Sequence, residues 1–332
     1  MGAKKHHFIP QFLLREFASR NSGPEHYCWH FRRGAKPCEA NIKGIGQQRN
    51  FHGDVEVENL EGLIANRESV YADLVHTLRT STITIQNIPL IEEFIVHLII
   101  RGRNLRQGFT KATDDLLSAM VAHFQDSRNH RKRNDLIFEY MKKLPEFNAW
   151  LTLVPKGKEE IFLRYMRHAM DNVPIEERLR LVSGILKASL QEQTAKAHIK
   201  TLSKDLAPTK FIEKIHGLNW RLLKYPKASL ILGDVGVLFQ DSQDQRLKHP
   251  IISGPPQHIF LPISHELMLF GTRDNSFEFD VNNINEAQAA LSHEFFVSSI
   301  CTERELTWQL LIGSNSDLIS AEEVSELVRS EL

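Results

Sequence analysis

Residues 4–18 read Lys-Lys-His-His-Phe-Ile-Pro-Gln-Phe-Leu-Leu-Arg-Glu-Phe-Ala. Two imidazoles, His6 and His7, stand just before a short apolar helix over 10–18, which Pro10 is expected to open because a first-turn proline gives up no helical hydrogen bond. Imidazole titrates near neutrality, so either ring suits a general base or a metal ligand. Gln11 and Arg15 follow His7 at i+4 and i+8 and share a face with it if the helix extends back, while Phe12, Leu13 and Phe17 supply the buried side. The competing reading is an ordinary polar N-terminus.

A second group of ionisable residues lies where core is expected. Val57, Leu60, Ile64, Tyr71, Leu74, Val75 and Leu78 repeat with the period of an amphipathic helix over 57–78. Glu61 and Glu68, seven residues apart, fall on its apolar face, whereas Glu58 belongs to the solvated one. A carboxylate facing a core needs an arginine, a histidine or a metal beside it, because an unpaired buried charge is too costly. The competing reading is a structural salt bridge. The helix expected over 89–106, opening at Pro89, shows the same oddity with opposite sign: Phe94, Leu98, Arg101 and Leu105 form one stripe, so Arg101 points inward beside His97 as the counter-charge for Glu61 or Glu68. Arg103 and Arg106 read as a solvated helix end. Farther along, Asp234 directly follows an apolar strand in "LILGDVGVLFQD", where acids serve both as turn-formers and as active-site groups.

Several chemistries can be weighed against these spacings. The string His-His-x-Ile-Pro resembles the opening of the HNH nuclease motif and makes His7 its base candidate, with Asn21 and His30 at tolerable spacing. Yet "NSGPEHYCWHF" reads as a turn and strand, not as the helix that carries the last histidine of such a site. A triad of Ser264, His265 and Asp234 is disfavoured because neighbours on a strand face opposite ways and no nucleophile elbow is present.

The elements that must position these residues divide into three stretches. Residues 1–56 hold the motif and β-rich runs at 26–38 and 40–53; residues 57–217 are helical, with further helices expected at 110–126, 130–143, 158–170, 175–202 and 204–216; residues 218–332 hold strand-like runs and then helices at 282–297 and 320–332. The expected class is α+β, predominantly α-helical, in a single domain whose sheet is formed by N-terminal strands and strands after residue 218. With 332 residues, 42% of them hydrophobic, the chain can bury a full core. Lys plus Arg equals Asp plus Glu at 41 each, so net charge gives no pull toward nucleic acid or anionic lipid, and any such site must be local. Three cysteines without a CxxC pair argue against a disulfide framework or thiolate zinc site and fit a reducing cytoplasm. The apolar runs are too short to span a bilayer, so no membrane partner is expected.

Three stretches, "KKHHFIPQFLLREFA", "LILGDVGVLF" and "HIFLPISHELMLF", resemble the bacterial and fungal family called domain of unknown function 4238. Members open with His-His-x-Val-Pro-Gln-x-Tyr-Leu-Arg-x-Phe; His6, His7, Pro10, Gln11, Leu14, Arg15 and Phe17 fill that frame, with Ile9 for valine and Leu13 for tyrosine. The family's paired glutamates and helical arginine are matched by Glu61, Glu68 and Arg101. Its Ser-Asp-Asn-Pro-Val strand end becomes "GDVGV", which keeps Asp234, and its Pro-Leu-Ser-Pro turn becomes "LPISHE", which keeps Pro262 and Ser264. The resemblance implies a shared fold without an established reaction, and, since members occur among antiphage defence genes, that role. The expectation is therefore a cytoplasmic defence-type effector with a pocket of His6, His7, Gln11, Arg15, Glu61, Glu68, Arg101 and Asp234. Its chemistry would be hydrolysis of a phosphodiester or nucleotide, with a divalent metal held by His6, His7, Glu61 and Glu68 and arginines clamping phosphate. The alternative is a non-catalytic sensor or interaction protein in which the same residues form a buried structural network.

Overall fold

A computed structural model describes residues 5–49, 58–102, 145–174, 205–241, 246–250, 255–274 and 279–316, with isolated positions between 114 and 142 and at 177. The contacts cluster into two compact units, one of Met1–Phe109 with Thr194–Leu318 and one of Thr110–Gln193 with Ile319–Leu332, a finer division than the single domain expected from sequence. The class is α+β. The helices expected over 110–126, 130–143, 175–202 and 320–332 lie almost wholly outside the described residues.

In the first unit, β1 (Lys5–His7) runs directly into α1 (Gln11–Arg15), with Pro10 at the N-cap where its extended ψ turns the chain. Strands β2 (Arg20–Ser22), β3 (Glu25–Arg32) and β4 (Cys38–Asn41) follow, and β5 (Gln47–Arg49) returns to pair antiparallel with β1, His7 opposite Gln47. The long helix α2 (Glu58–Thr80) buries Ile64, Tyr71, Leu74, Val75 and Leu78, the stripe read from the sequence. Helix α3 (Ile88–Arg101) has Pro89 in its first turn and ends before Gly102, whose N–H caps the Leu98 carbonyl, so the expected extension to 106 stops at 101.

The five-stranded sheet is the part closed by distant stretches of chain. Strand β3 pairs with β2, β4 and β11 (Phe295–Ser298), and β11 pairs onward with the two-residue β7 (Leu232–Gly233). A second antiparallel sheet has the order β6 (Asn219–Lys224), β10 (Leu267–Thr272), β9 (Pro256–Pro262), β8 (Leu238–Asp241). The main core joins Phe8 and Phe17 near α1, Tyr71 and Phe94 from the helices, and Phe260 and Phe270 from this second sheet.

Two further helix boundaries differ from expectation. The helix read over 204–216 begins only at Thr209, because Pro208 fixes its start. The helix read over 282–297 is instead Val281–Leu291, capped by the Asp280 side chain on the Asn282 N–H, followed by strand β11. Phe295, Phe296 and Val297 are all buried against neighbouring strands, and a short run of β-prone residues continued the helical pattern by coincidence. In the second unit, α4 (Pro145–Thr152) and α5 (Glu159–Asp171) form the described helices; α6 (Thr209–Ile215), α7 (Val281–Leu291) and α8 (Glu303–Gln309) belong to the first.

Candidate functional site: a buried charge latch

The N-terminal motif meets the helices at Arg101. Its side chain is 4% exposed and ion-paired through Nη1 with Glu68, which is 26% exposed. Nε donates to the main-chain carbonyl of His7 at 2.9 Å, and Nη2 donates to the same oxygen. All three guanidinium nitrogens are thus engaged, one with α2 and two with the end of β1. The periodicity placed Arg101 and Glu68 on facing apolar stripes, and the two side chains meet as that arithmetic requires.

His7 lies in a strand rather than on a backward extension of α1, yet Gln11 still reaches it. The Gln11 amide donates to His7 Nε2 at 2.8 Å, and His7 Nδ1 donates to the Ile45 carbonyl at 3.1 Å. A carbonyl can only accept, so the proton sits on Nδ1 and the ring is neutral in this arrangement. Gly46 sustains the approach: it takes φ +63, its carbonyl accepts from Phe8, and a Cβ there would press on Ile9 at 3.2 Å. Arg15 is exposed and has no side-chain partner among the described residues.

Around this latch lies a second ion pair, Arg67 with Glu93, and the buried Tyr71 rests on Phe94 and His97 with ring centroids 5.1 and 5.2 Å apart. Burial pushes the Tyr71 hydroxyl above its usual range, with the Glu93 charge adding to the effect. His97 is pushed down to about 3, first by burial and then by the Arg101 charge, and its Nδ1 donates to the Leu206 carbonyl at 3.2 Å.

Asp234 serves the main chain at the turn it was read to form. Its carboxylate accepts from three successive main-chain N–H groups, His293 and Glu294 at 2.9 and 2.8 Å and Phe295 at 3.2 Å. These three bonds fix the entry to β11. Sequence reasoning missed its neighbours on α7 and its C-cap: Asn285, Gln288 and Ser292, each fully buried, hold the backbone of 229–236. The readable signal is their i, i+3, i+7 spacing among Ile284, Ala289 and Leu291. Gly233 makes this packing feasible, since a Cβ there would fall 2.1 Å from Ser292 Oγ and 2.5 Å from the Gln288 carbonyl.

The remaining candidates separate. The side chains of His6 and Glu61 lie outside the described residues. Asn21 hydrogen-bonds His26, and His30 packs against Phe295 from strand β3, not from the helix that carries the last histidine of an HNH site. Ser264 is buried in the β9–β10 turn, accepting from the Glu266 N–H, while His265 Nδ1 accepts from Ala228. Among the described residues no group of three or more His, Cys, Asp or Glu side chains is placed to hold a metal ion. Of the four proposed ligands, the two with described side chains, His7 and Glu68, each bond a protein partner, Gln11 and Arg101. Among the described residues no helix is long and apolar enough to cross a membrane.

The fold and site thus define an α+β protein whose N-terminal motif is clamped to a helix pair by a buried arginine. Residues 5–305 match the family model described as "Protein of unknown function (DUF4238)", and the chain belongs to that family. Neither a curated protein nor a solved structure matches it.

Proposed function

We propose that this is a non-catalytic sensor or interaction protein of an antiphage-defence type, acting in the cytoplasm, in which His7, Gln11, Glu68 and Arg101 form a structural latch. The observation that supports this reading is the full commitment of the Arg101 guanidinium to Glu68 and the His7 carbonyl at 4% exposure. Arg101 could clamp a phosphate only by releasing both, and Glu68 could join a metal shell only by leaving a buried cation unpaired. The test is a pair of thermal melts. Arg101→Ala should lower stability by about 2–4 kcal/mol, somewhat under the fully buried case because Glu68 keeps contact with water. Magnesium, manganese or zinc should leave the wild-type Tm unchanged, as linkage requires when no site exists.

One observation favours a second reading, a metal-dependent nuclease or nucleotide hydrolase acting on nucleic acid or a nucleotide. The Ile45 carbonyl holds the His7 proton on Nδ1, which leaves Nε2 as an oriented basic atom, half-buried, with Arg15, exposed and without a side-chain partner among the described residues, one turn beyond Gln11. A Tm rise with a divalent metal or inorganic phosphate that His7→Ala abolishes, together with turnover of nucleic acid or nucleotide, would move the assignment to this reading.

A further inference from the structure

The opposite end of α3 from Arg101 holds a second paired acid. Glu92 is 3% exposed, and its Oε2 accepts from Nδ1 of His216 at 3.2 Å, the residue that caps the C-terminus of α6. Its Oε1 is buried and makes no hydrogen bond among the described residues, so the imidazole is the donor this carboxylate has. The histidine side chain itself is 75% exposed. A proton fixed on Nδ1 leaves the lone pair of the neutral ring on Nε2, which faces away from Glu92 and has no partner among the described residues. His76 and His168 are also exposed, and among the described residues neither has a carboxylate behind its ring.

A cation is fixed beside this ring. Arg273 wraps the turn that carries it: Nε donates to the Pro256 carbonyl at 3.1 Å, and Nη2 donates to the carbonyls of Lys214 and His216 at 3.3 and 3.1 Å. Its Nη1 lies 3.7 Å from where a Cβ on Gly217 would stand, and it remains an open donor among the described residues. Lys214 precedes the histidine by two residues, with its Nζ over the Phe211 ring, and Glu213 is the exposed acid of the same turn. An oriented nucleophilic nitrogen next to a guanidinium suits a transferred group that carries negative oxygens. We propose that His216 is a phosphoryl acceptor, taking the group on Nε2 from a phosphoramidate such as the phosphohistidine of another protein. The Nε2 lone pair forms the new P–N bond, the donor's P–N bond breaks, and the departing amine, protonated beforehand, keeps that electron pair. The Nδ1 proton passes to Glu92, which leaves an uncharged imidazole bearing the phosphoryl group, with Arg273 Nη1 as the donor to its oxygens.

The test treats the full chain with potassium phosphoramidate, maps the labelled histidines by tandem mass spectrometry and reads the substituted nitrogen by phosphorus NMR. His216 should label about tenfold faster than His76 and His168, and on Nε2. Glu92→Gln keeps an acceptor for the Nδ1 proton but cannot take that proton away, so it should slow labelling of His216 by about 100-fold. An ion pair with a purely structural role would leave that rate unchanged. Labelling of His216 no faster than of the other two rings overturns the proposal, as does substitution on Nδ1 or a folded Glu92→Gln that labels at the wild-type rate. Should Glu92→Gln fail to fold, the ranking of rates and the substituted nitrogen in the wild type decide alone. None of these outcomes bears on the latch, which is read by the melts of Arg101→Ala.

Discussion

Arg101 and Gln288 are both buried polar side chains that hold a stretch of main chain, and they do so by different means. Arg101 holds the His7 carbonyl with a charge, so a counter-charge must accompany it, and Glu68 remains a quarter exposed. Gln288 donates to the Gly236 carbonyl at 2.7 Å and accepts from the Gly233 N–H at 3.0 Å, matching donor to acceptor with no net charge, and it is fully buried. The neutral anchor can be dry because it needs no solvent to settle a charge. The charged anchor spans more distance and joins three elements, at the cost of a partly hydrated partner.

The comparison fails most visibly if the neutral cluster tolerates crowding. Gly233→Ala should cost roughly 3–5 kcal/mol in urea unfolding, because the new Cβ displaces Ser292 and Gln288 and strands the backbone groups they serve. Gln288→Leu should cost about 2–4 kcal/mol for the two unsatisfied backbone groups. Replacing both members of the charged pair, Arg101→Met with Glu68→Leu, should cost less than Arg101→Met alone, since no unpaired charge is left. A dependence on pH sharpens the contrast further. His97 lies beside the charged anchor with its folded value lowered to about 3 from the ordinary 6.5, so the unfolded chain binds its proton more strongly between those values. Its contribution is complete above pH 6.5 and is lost as pH falls toward 3, at about 1.4 kcal/mol per pH unit. His97→Gln should flatten the measured slope by that amount, whereas Gln288→Leu should leave the slope unchanged. The smallest effect concerns Ala228, which takes φ +61 between the His265 ring and the Arg304 guanidinium: Ala228→Gly should add about 0.5 kcal/mol.

The charged anchor was legible in the sequence because Arg101 and Glu68 interrupt apolar stripes, a contradiction that only a partner resolves. The task of Asp234 was not, because its partners are backbone N–H groups whose sequence carries no mark of them. Asn285, Gln288 and Ser292 also serve main-chain groups, and their spacing alone marks them in the sequence. The sharing of one sheet by early and late strands was expected from β-rich runs at both ends of the chain, but four of the late strands, β6, β8, β9 and β10, form a sheet of their own. Strand β11 was missed because Phe295–Val297 continues an apolar pattern that fits a helix equally well, and β1 because three residues carry no period.

Strand β3 offers both edges to other strands, and one of them, from Trp29 to Arg32, is taken by β11. Everything from residue 33 to residue 294 is synthesised between those two partners. Until Phe295–Ser298 leaves the ribosome, that edge has open N–H and C=O groups and the aromatic Phe31 lacks the stacked Phe296. Closure of the sheet is therefore a late and long-range event, which makes the nascent chain dependent on protection from aggregation for most of its own translation.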